Sequence, residues 1–326
     1  MNKEDFNIVA LVKACAKKKD LCNGTRLHDE ILKRGLLGKS PFLASTLISM
    51  YARCGVLVKA QNVLEELPIR DSVTWSALIA GFVEHGESIR ALCFFEKMQS
   101  DGFHPNEVTF SCVLKACGSI GALDKGKEIH EDISRRKSLG KDPLVGNALV
   151  DMYAKCGEVA KAREVFDKLP IRDVISWTTL ISGYVQHGDG EEALNCFWQM
   201  LRGGFSPNSI TFLCVLNACS NLGLLGKGKE IHNTIVREGW LEKHALLGNA
   251  LVDMYAKCGL LVNAQEVFDE LSVRDVTSWT TLIAGYAQLG RDDLAIELFD
   301  KMLREGMEPN VVTLTVMLNA CSHSGL

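Results

Sequence analysis

Residues 146–157 read GNALVDMYAKCG, and the same twelve letters return at residues 248–259, a spacing of 102 residues. Self-similarity at a fixed spacing is typical of repeat architectures, in which each supersecondary unit buries its apolar face only by stacking on its neighbours. The chain of 326 residues is therefore predicted to form one array of repeated units rather than separate compact domains.

Three units of unequal length make up the 102-residue period. A 35-residue unit carries Trp near its start, a Gly-aromatic pair and a terminal Pro-Asn. A 36-residue unit carries an Ala-Cys pair and an Ile-His or Leu-His step, and a 31-residue unit ends in Arg-Asp. The predicted units are 5–40, 41–71, 72–106, 107–142, 143–173, 174–208, 209–244, 245–275 and 276–310, followed by a partial 36-residue unit at 311–326.

Each unit is predicted to be a helical hairpin. In the unit 174–208, one apolar stripe at helical spacing is followed by the break 187–190 and then by a second stripe that ends before Pro207. The first stripe is Trp177, Leu180, Ile181 and Tyr184, and the second is Ala193, Phe197, Met200 and Leu201. Beside the first stripe lies a more polar one, Ile175, Thr178 and Ser182, which suits a contact surface. The pattern predicts an all-α solenoid of stacked helix-turn-helix units.

An Asp or Asn stands just before most first helices, where a helix N-cap is expected. These residues are Asp71, Asn106, Asp142, Asp173, Asn208, Asp275 and Asn310. Asp and Asn cap helices about equally well, yet every 31-residue unit ends in Asp and every complete 35-residue unit ends in Asn. Duplication without selection would produce this partition, and so would side chains that recognise a ligand.

Composition excludes several classes. The net charge of −4 argues against nucleic-acid binding through bulk electrostatics, and no apolar run is long enough to span a membrane. Seven of the twelve cysteines recur at two repeat positions without metal-ligand spacing, which predicts reduced core residues rather than disulfides or a zinc site. We expect no cofactor and no metal.

The unit lengths in strict rotation, together with SWTTLISGY, VLNACSNLG, GKEIH and GNALVDMYAKCG, closely resemble pentatricopeptide repeat (PPR) proteins of the plant PLS subclass. The resemblance covers residues 5–326. It supplies the labels P, L and S, used below for the 35-, 36- and 31-residue units. It implies a right-handed superhelical solenoid that binds single-stranded organellar RNA, one base per unit.

In that family the fifth and last residues of a unit recognise the base, while the second residue packs on it. Carried over to this sequence, the base-recognition pairs are Ser45 with Asp71, Ser76 with Asn106, Asn147 with Asp173, Thr178 with Asn208, Asn249 with Asp275, and Thr280 with Asn310. The base-packing residues are Phe42, Val73, Leu144, Ile175 and Leu246, whereas Thr277 departs from the pattern.

A carboxylate accepts hydrogen bonds and suits the N–H edge of guanine or uracil, while an amide also donates and suits adenine or cytosine. The family's pairing then implies the target 5′-GANUANUA-3′, with the protein N-terminus toward the RNA 5′ end. The N positions fall on L units, where Ser111 with Asp142 would recognise guanine and Leu213 with His244 has no hydrogen-bonding logic.

PLS proteins often continue into a cytidine-deaminase-like domain with an H-x-E and P-C-x-x-C signature. His28-Asp29-Glu30 matches the first half by letter, but the chain contains no P-C-x-x-C, so we expect no catalytic activity. The resemblance implies a chloroplast or mitochondrial protein that specifies an RNA processing or C-to-U editing site, acts as a monomer away from membranes, and works with editing helper proteins. No transit peptide is evident, and the chain is expected to be truncated at both ends. The rival hypothesis is a tetratricopeptide-like protein–protein scaffold, which shares the Trp, Ala, Phe and Pro landmarks.

Overall fold

A computed structural model describes residues 3–37, 40–136, 142–241 and 244–324. The ends of the three complete L units, at 38–39, 137–141 and 242–243, and the last two residues of the partial unit lie outside the described residues. All regular elements in the described ranges are helices. They are α1 (Lys3–Lys18), α2 (Leu21–Lys33), α3 (Pro41–Arg53), α4 (Leu57–Glu66), α5 (Ser72–Glu84), α6 (Ser88–Ser100), α7 (Glu107–Ile120), α8 (Leu123–Arg135), α9 (Pro143–Lys155), α10 (Val159–Asp167), α11 (Val174–Gln186), α12 (Gly190–Arg202), α13 (Ser209–Leu222), α14 (Leu225–Arg237), α15 (Ala245–Lys257), α16 (Leu261–Glu270), α17 (Val276–Gln288), α18 (Asp292–Arg304) and α19 (Val311–Ser324).

The helices follow one another in pairs, an odd-numbered first helix and an even-numbered second helix, except that the partial unit 311–326 contains α19 alone and α1 begins at Lys3, two residues before the first predicted unit. The break predicted at residues 187–190 separates α11 from α12. S units are short because their second helix is short: α4, α10 and α16 have 10, 9 and 10 residues, against 13 in α6, α8, α12, α14 and α18. The missing residues correspond to about one helical turn.

The chain divides into two compact units, residues 1–172 and 173–326. Within each, every first helix packs on the first helix of the next hairpin, as α3 does on α5 and α13 on α15. Every second helix packs on its own partner and on the following first helix, as α6 does on α5 and α7. First helices therefore form one layer and second helices another, and the interface between layers holds the core.

The aromatic landmark of the P unit lies in this core. Trp75 is buried with Leu78 and Phe82 on α5, and its ring is tilted against Phe103 at a centroid distance of 6.3 Å. In the second P unit, Trp177 makes the same contact with Phe205 at 6.3 Å. The first apolar stripe predicted from sequence is thus the core face of the first helix.

The boundary between an L unit and the following S unit is held by two recurring contacts. Gly228 on α14 faces Met254 on α15 so closely that an added Cβ would lie 2.7 Å from the Met254 sulfur. On the same helix pair, His232 Nδ1 lies 2.8 Å from the Tyr255 hydroxyl. The first L–S boundary repeats both contacts at Gly24–Met50 and His28–Tyr51, and the second at Gly126–Met152 and His130–Tyr153.

The prediction of core cysteines holds for three of the four residues at one repeat position, since Cys321 at that position is half-buried. Cys15, Cys117 and Cys219 are buried, and burial raises the pKa of the Cys117 and Cys219 thiols to about 12. The second position is not core: Cys54, Cys156 and Cys258 are half-buried and form the C-caps of α3, α9 and α15. All twelve cysteines lie in the described residues, and none of them forms a disulfide bond there. Among the helices in the described ranges, none combines the length and apolarity that a membrane crossing requires.

Candidate nucleic-acid interface

The second residues of the P and S units are exposed, and five of the six are large apolar side chains; they are called the apolar row below. The five predicted base-packing residues have exposed fractions of 46–64% although all are large hydrophobics. They are Phe42, Val73, Leu144, Ile175 and Leu246. Thr277, which departs from the pattern by sequence, is also exposed. A periodic series of exposed apolar side chains on first helices is a typical contact surface.

Sequence reasoning left the L units out of this row. Val108, Ile210 and Val312 are the second residues of L units, and they are exposed at 47, 57 and 59%. Alignment of the units by position would have found them, since each follows the first residue of its unit as Val73 and Ile175 do. The row of apolar side chains therefore includes the L units as well.

The fifth residues are recessed between the members of the row. Five of the six predicted ones are buried to at least nine-tenths and the sixth, Asn147, is half-buried. The buried five are Ser45, Ser76, Thr178, Asn249 and Thr280. Buried polar side chains need hydrogen-bonding partners, so their surroundings determine what they can offer to a ligand.

The last residues act as helix N-caps, as the sequence predicts. Asp71, Asn106, Asp173, Asn208 and Asp275 each accept a hydrogen bond from the third backbone N–H of the next helix, within a capping box. Asn310 Oδ1 accepts the Thr313 N–H at 2.9 Å in the same way. Asp142 caps α9 through the backbone of Leu144 and Val145.

This capping bond fixes what an Asn presents outward. The atom facing the backbone N–H of Thr211 must be an acceptor, so it is Asn208 Oδ1, at 2.8 Å. The amide nitrogen is then the group that the cap does not use, and it is a donor. An Asp in the same position presents its second carboxylate oxygen, an acceptor. Asn and Asp thus cap alike and offer opposite groups to a ligand.

At the end of each P unit, the fifth and last residues meet through a threonine of the next unit. Thr178 Oγ1 lies 2.7 Å from Thr211 Oγ1, which lies 3.0 Å from Asn208 Oδ1. The last P unit repeats these contacts with Thr280, Thr313 and Asn310 at 2.6 and 2.9 Å. The first P unit has them at Ser76, Thr109 and Asn106, where Ser76 Oγ also lies 3.2 Å from Asn106 Oδ1.

At the end of the last S unit, a buried amide lies beside a carboxylate. The Ser278 backbone N–H holds the pKa of Asp275 below its usual value, and the nearby Asn249 amide lowers that pKa further. Neither polar atom of the Asn249 amide completes a hydrogen bond of normal geometry within the described part of the chain, the approach to Asp275 included. A buried amide without partners next to an ionised carboxylate is a site whose hydrogen bonds a ligand would complete.

At the ends of the other two S units, the last residues also act as helix N-caps. Ser45 donates to the Phe42 carbonyl at 3.0 Å within α3, while Asp71 caps α5. Asn147 belongs to the compact unit 1–172 and Asp173 to the unit 173–326, where it caps α11.

The L units differ from both. In the L unit 107–142, Ser111 is buried and Asp142 caps α9. In the L unit 209–244, Leu213 is a half-buried apolar residue and His244 makes no side-chain capping bond. The third residue of the S unit that follows is apolar in every case, at Leu43, Val145 and Leu247. The third residue after an L unit therefore lacks the hydroxyl that the third residue after a P or S unit carries.

A cleft of 260 Å³ shows these elements in one place. Its lining includes the pair Thr280 and Asn310 and the second residues Thr277 and Val312 of consecutive units. The predicted pair thus lines the same cleft as two second residues.

The residues of the half-matched deaminase motif are used elsewhere. His28 contacts Tyr51 at 2.9 Å, and burial lowers its pKa. Among the described side chains, no group of three or more His, Cys, Asp or Glu is arranged to hold a metal ion.

Comparison with known proteins agrees with this architecture. The model of the PPR repeat family matches residues 70–119, 172–221 and 274–323, and a second PPR repeat model matches 43–71, 108–138, 147–174 and 249–276. The chain belongs to the pentatricopeptide repeat family. The matched segments include all three P units and all but the first two to four residues of the three S units.

Among its PPR relatives in Arabidopsis thaliana, the pentatricopeptide repeat-containing protein At2g33680 is 41% identical over 98% of this chain and 44% of its own length. The proteins At1g06140, named mitochondrial, and At4g18520, named chloroplastic, are 36% and 35% identical over 99% and 97% of this chain, and 57% and 51% of their own lengths. The chain spans about half the length of these relatives.

A solved structure shares the fold. The pentatricopeptide repeat protein PPR10 in complex with an 18-nt psaJ RNA element superposes with a TM-score of 0.75 at 22% identity, over 92% of this chain and 45% of that chain. This likeness establishes the all-α PPR repeat fold for the hairpin array.

Proposed function

We propose that this chain binds single-stranded RNA sequence-specifically, one base per unit, through the second, fifth and last residues of its units. The observation that carries the proposal is a recessed polar pair that shares a cleft with exposed second residues, as Thr280 and Asn310 do with Thr277 and Val312. Stacking on the apolar row would hold any base, while the polar pair would select one. The neighbour PPR10, which was crystallised with an RNA element, supports the same ligand class.

The hydrogen-bonding groups favour particular bases. An outward Asn amide donates to the ring nitrogen of adenine, and an ionised Asp accepts the N–H of guanine or uracil. In the last S unit, Asn249 and Asp275 together offer a donor and an acceptor to uracil, whose edge carries a carbonyl oxygen beside an N–H. With each pair assigned in this way, the proposed target remains 5′-GANUANUA-3′, with no base assigned at the L units.

The proposal extends to cellular context. Relatives named mitochondrial and chloroplastic support an organellar protein. We further propose membership in the PLS subclass, on the rotation of 35-, 36- and 31-residue units, and a role in specifying an RNA processing or C-to-U editing site together with editing helper proteins. The chain itself would act as a monomeric binding module, with chemistry supplied by other domains or proteins.

The test is a binding measurement at physiological salt. One RNA contains GANUANUA, and a second has guanine in place of its three adenines, with the same base kept at both N positions. We expect the second RNA to bind at least tenfold more weakly, since each mismatched recognition costs roughly 1–3 kcal/mol in related nucleic-acid contacts.

Equal binding of the two RNAs would contradict base recognition through Asn106, Asn208 and Asn310. Absence of binding to either RNA would favour the alternative, a protein–protein scaffold of the tetratricopeptide kind. The salt dependence of binding provides a control. Binding through phosphate contacts alone would weaken steeply as salt is raised and would not distinguish the two RNAs.

A further inference from the structure

The third residue of each L unit is a buried threonine with two sets of contacts. Thr109, Thr211 and Thr313 have no exposed surface. Each completes the capping box at its own helix, an ordinary structural role. Each also contacts the hydroxyl of the fifth residue in the preceding P unit, 33 positions earlier in the chain. The second contact joins the two base-recognition residues of that unit.

Counting the hydroxyl hydrogens shows what this contact does. Thr178 has one hydrogen, for which the Val174 carbonyl at 2.7 Å and the Thr211 hydroxyl at 2.7 Å are the acceptors. Thr211 has one hydrogen, for which the Thr178 hydroxyl and Asn208 Oδ1 are the acceptors. In every arrangement that uses these contacts, both hydrogens are donated to the Val174 carbonyl, to the other threonine hydroxyl or to Asn208 Oδ1. Toward a ligand, Thr178 then presents only a lone pair, next to the donor amide nitrogen of Asn208.

We propose that Thr109, Thr211 and Thr313 are positioning residues that make each P unit selective for adenine. Adenine offers an amino hydrogen beside a ring-nitrogen acceptor, which complements a hydroxyl lone pair beside an amide N–H. Without the threonine hydroxyl, only the Val174 carbonyl still competes for the Thr178 hydrogen. That hydrogen can then turn toward the ligand and donate to the carbonyl oxygen of guanine. This inference rests on the proposed RNA binding and adds a residue that touches no base.

The S units supply a matched control. Thr74 completes the capping box of α5 as Thr211 does that of α13, with its hydroxyl 2.9 Å from Asp71 Oδ1. All the hydrogen bonds found for the Thr74 side chain in the described residues go to Asp71, and none reaches Ser45. A carboxylate also presents an acceptor whichever oxygen faces the cap. Loss of the Thr74 hydroxyl should therefore weaken a helix cap without changing base preference.

The experiment compares Thr211→Val, Thr211→Ser and Thr74→Val with the parent protein. Binding is measured to RNAs that carry adenine or guanine at the fifth nucleotide of the target, which Thr178 and Asn208 face, or at the first, which Ser45 and Asp71 face. We expect Thr211→Val to reduce the adenine-to-guanine preference at the fifth nucleotide on the order of fivefold, as expected for the loss of one hydrogen bond. Thr211→Ser should restore it, and Thr74→Val should leave the preference at the first nucleotide unchanged.

Further outcomes separate this inference from a structural role and from the proposed function. If Thr211→Val weakens binding of both RNAs by the same factor, or leaves the ratio unchanged, the positioning role is wrong while base recognition stands. If the parent itself shows no adenine preference at the fifth nucleotide, the proposed function fails and the inference with it. Thr109→Val, measured at the second nucleotide, repeats the test should Thr211→Val fail to fold.

Discussion

The boundary from a P unit to an L unit and the boundary from an L unit to an S unit join similar hairpins by different means. At the P–L boundary, a buried threonine hydroxyl joins the fifth and last residues of the P unit, as Thr211 does for Thr178 and Asn208. At the L–S boundary, the equivalent third residue is Leu247, and the contacts recur instead between the second helix of the L unit and the S unit, at Gly228–Met254 and His232–Tyr255.

This difference suggests a division of roles. Polar contacts on first helices orient the groups that would select a base, whereas the glycine–methionine and histidine–tyrosine contacts set how closely neighbouring hairpins approach. The weak recognition expected of the L unit 209–244 has a physical reason on this account, since Leu213 is apolar and His244 makes no capping bond that would orient its ring. The L units still contribute exposed second residues to the apolar row.

The largest stability effect is expected at the L–S boundary. Gly228→Ala would place a methyl group 2.7 Å from the Met254 sulfur in a buried contact and should lower the free energy of unfolding by about 1–3 kcal/mol. Gly226→Ala, on the same helix with no atom within 4 Å of the added methyl, should be neutral or raise it by up to about 1 kcal/mol. Urea unfolding of both variants followed by circular dichroism measures the difference, and equal effects would contradict close packing at this boundary.

A smaller effect is expected when the apolar row is interrupted. Ile210→Ser in an L unit and Ile175→Ser in a P unit remove side chains that are exposed at 57 and 61%. Each should weaken RNA binding by about 1 kcal/mol, roughly fivefold, with the preference for each base unchanged. Titration against the target RNA and its guanine-substituted version checks both points. If only Ile175→Ser reduces affinity, L units take no part in holding the RNA.

Sequence alone predicted the helical hairpins and the N-caps, because both depend on local signals such as helical apolar spacing and an Asp or Asn before a helix. It did not predict the second contact of Thr211. In the sequence that residue looks like an ordinary third position of a capping box, and its approach to Thr178 depends on how α11 and α13 stack.

Two further features needed the structure for similar reasons. Cys156 occupies a repeat position as regular as that of Cys117, yet it ends a helix and is half-buried, since periodicity does not distinguish a core residue from a C-cap. The recessed position of Asn249 beside Asp275 also depends on stacking, because Asn249 lies on α15 while Asp275 caps α17.

The most direct test of the account exchanges the last residue of one P unit. Asn208→Asp keeps the capping oxygen and replaces the outward amide donor with an acceptor, so the fold should be unaffected. Binding of parent and variant is measured to target RNAs with adenine or guanine at the fifth nucleotide, while the second and eighth remain adenine. The account predicts that the preference shifts from adenine toward guanine by roughly tenfold or more. An unchanged adenine preference in a folded Asn208→Asp variant would contradict it.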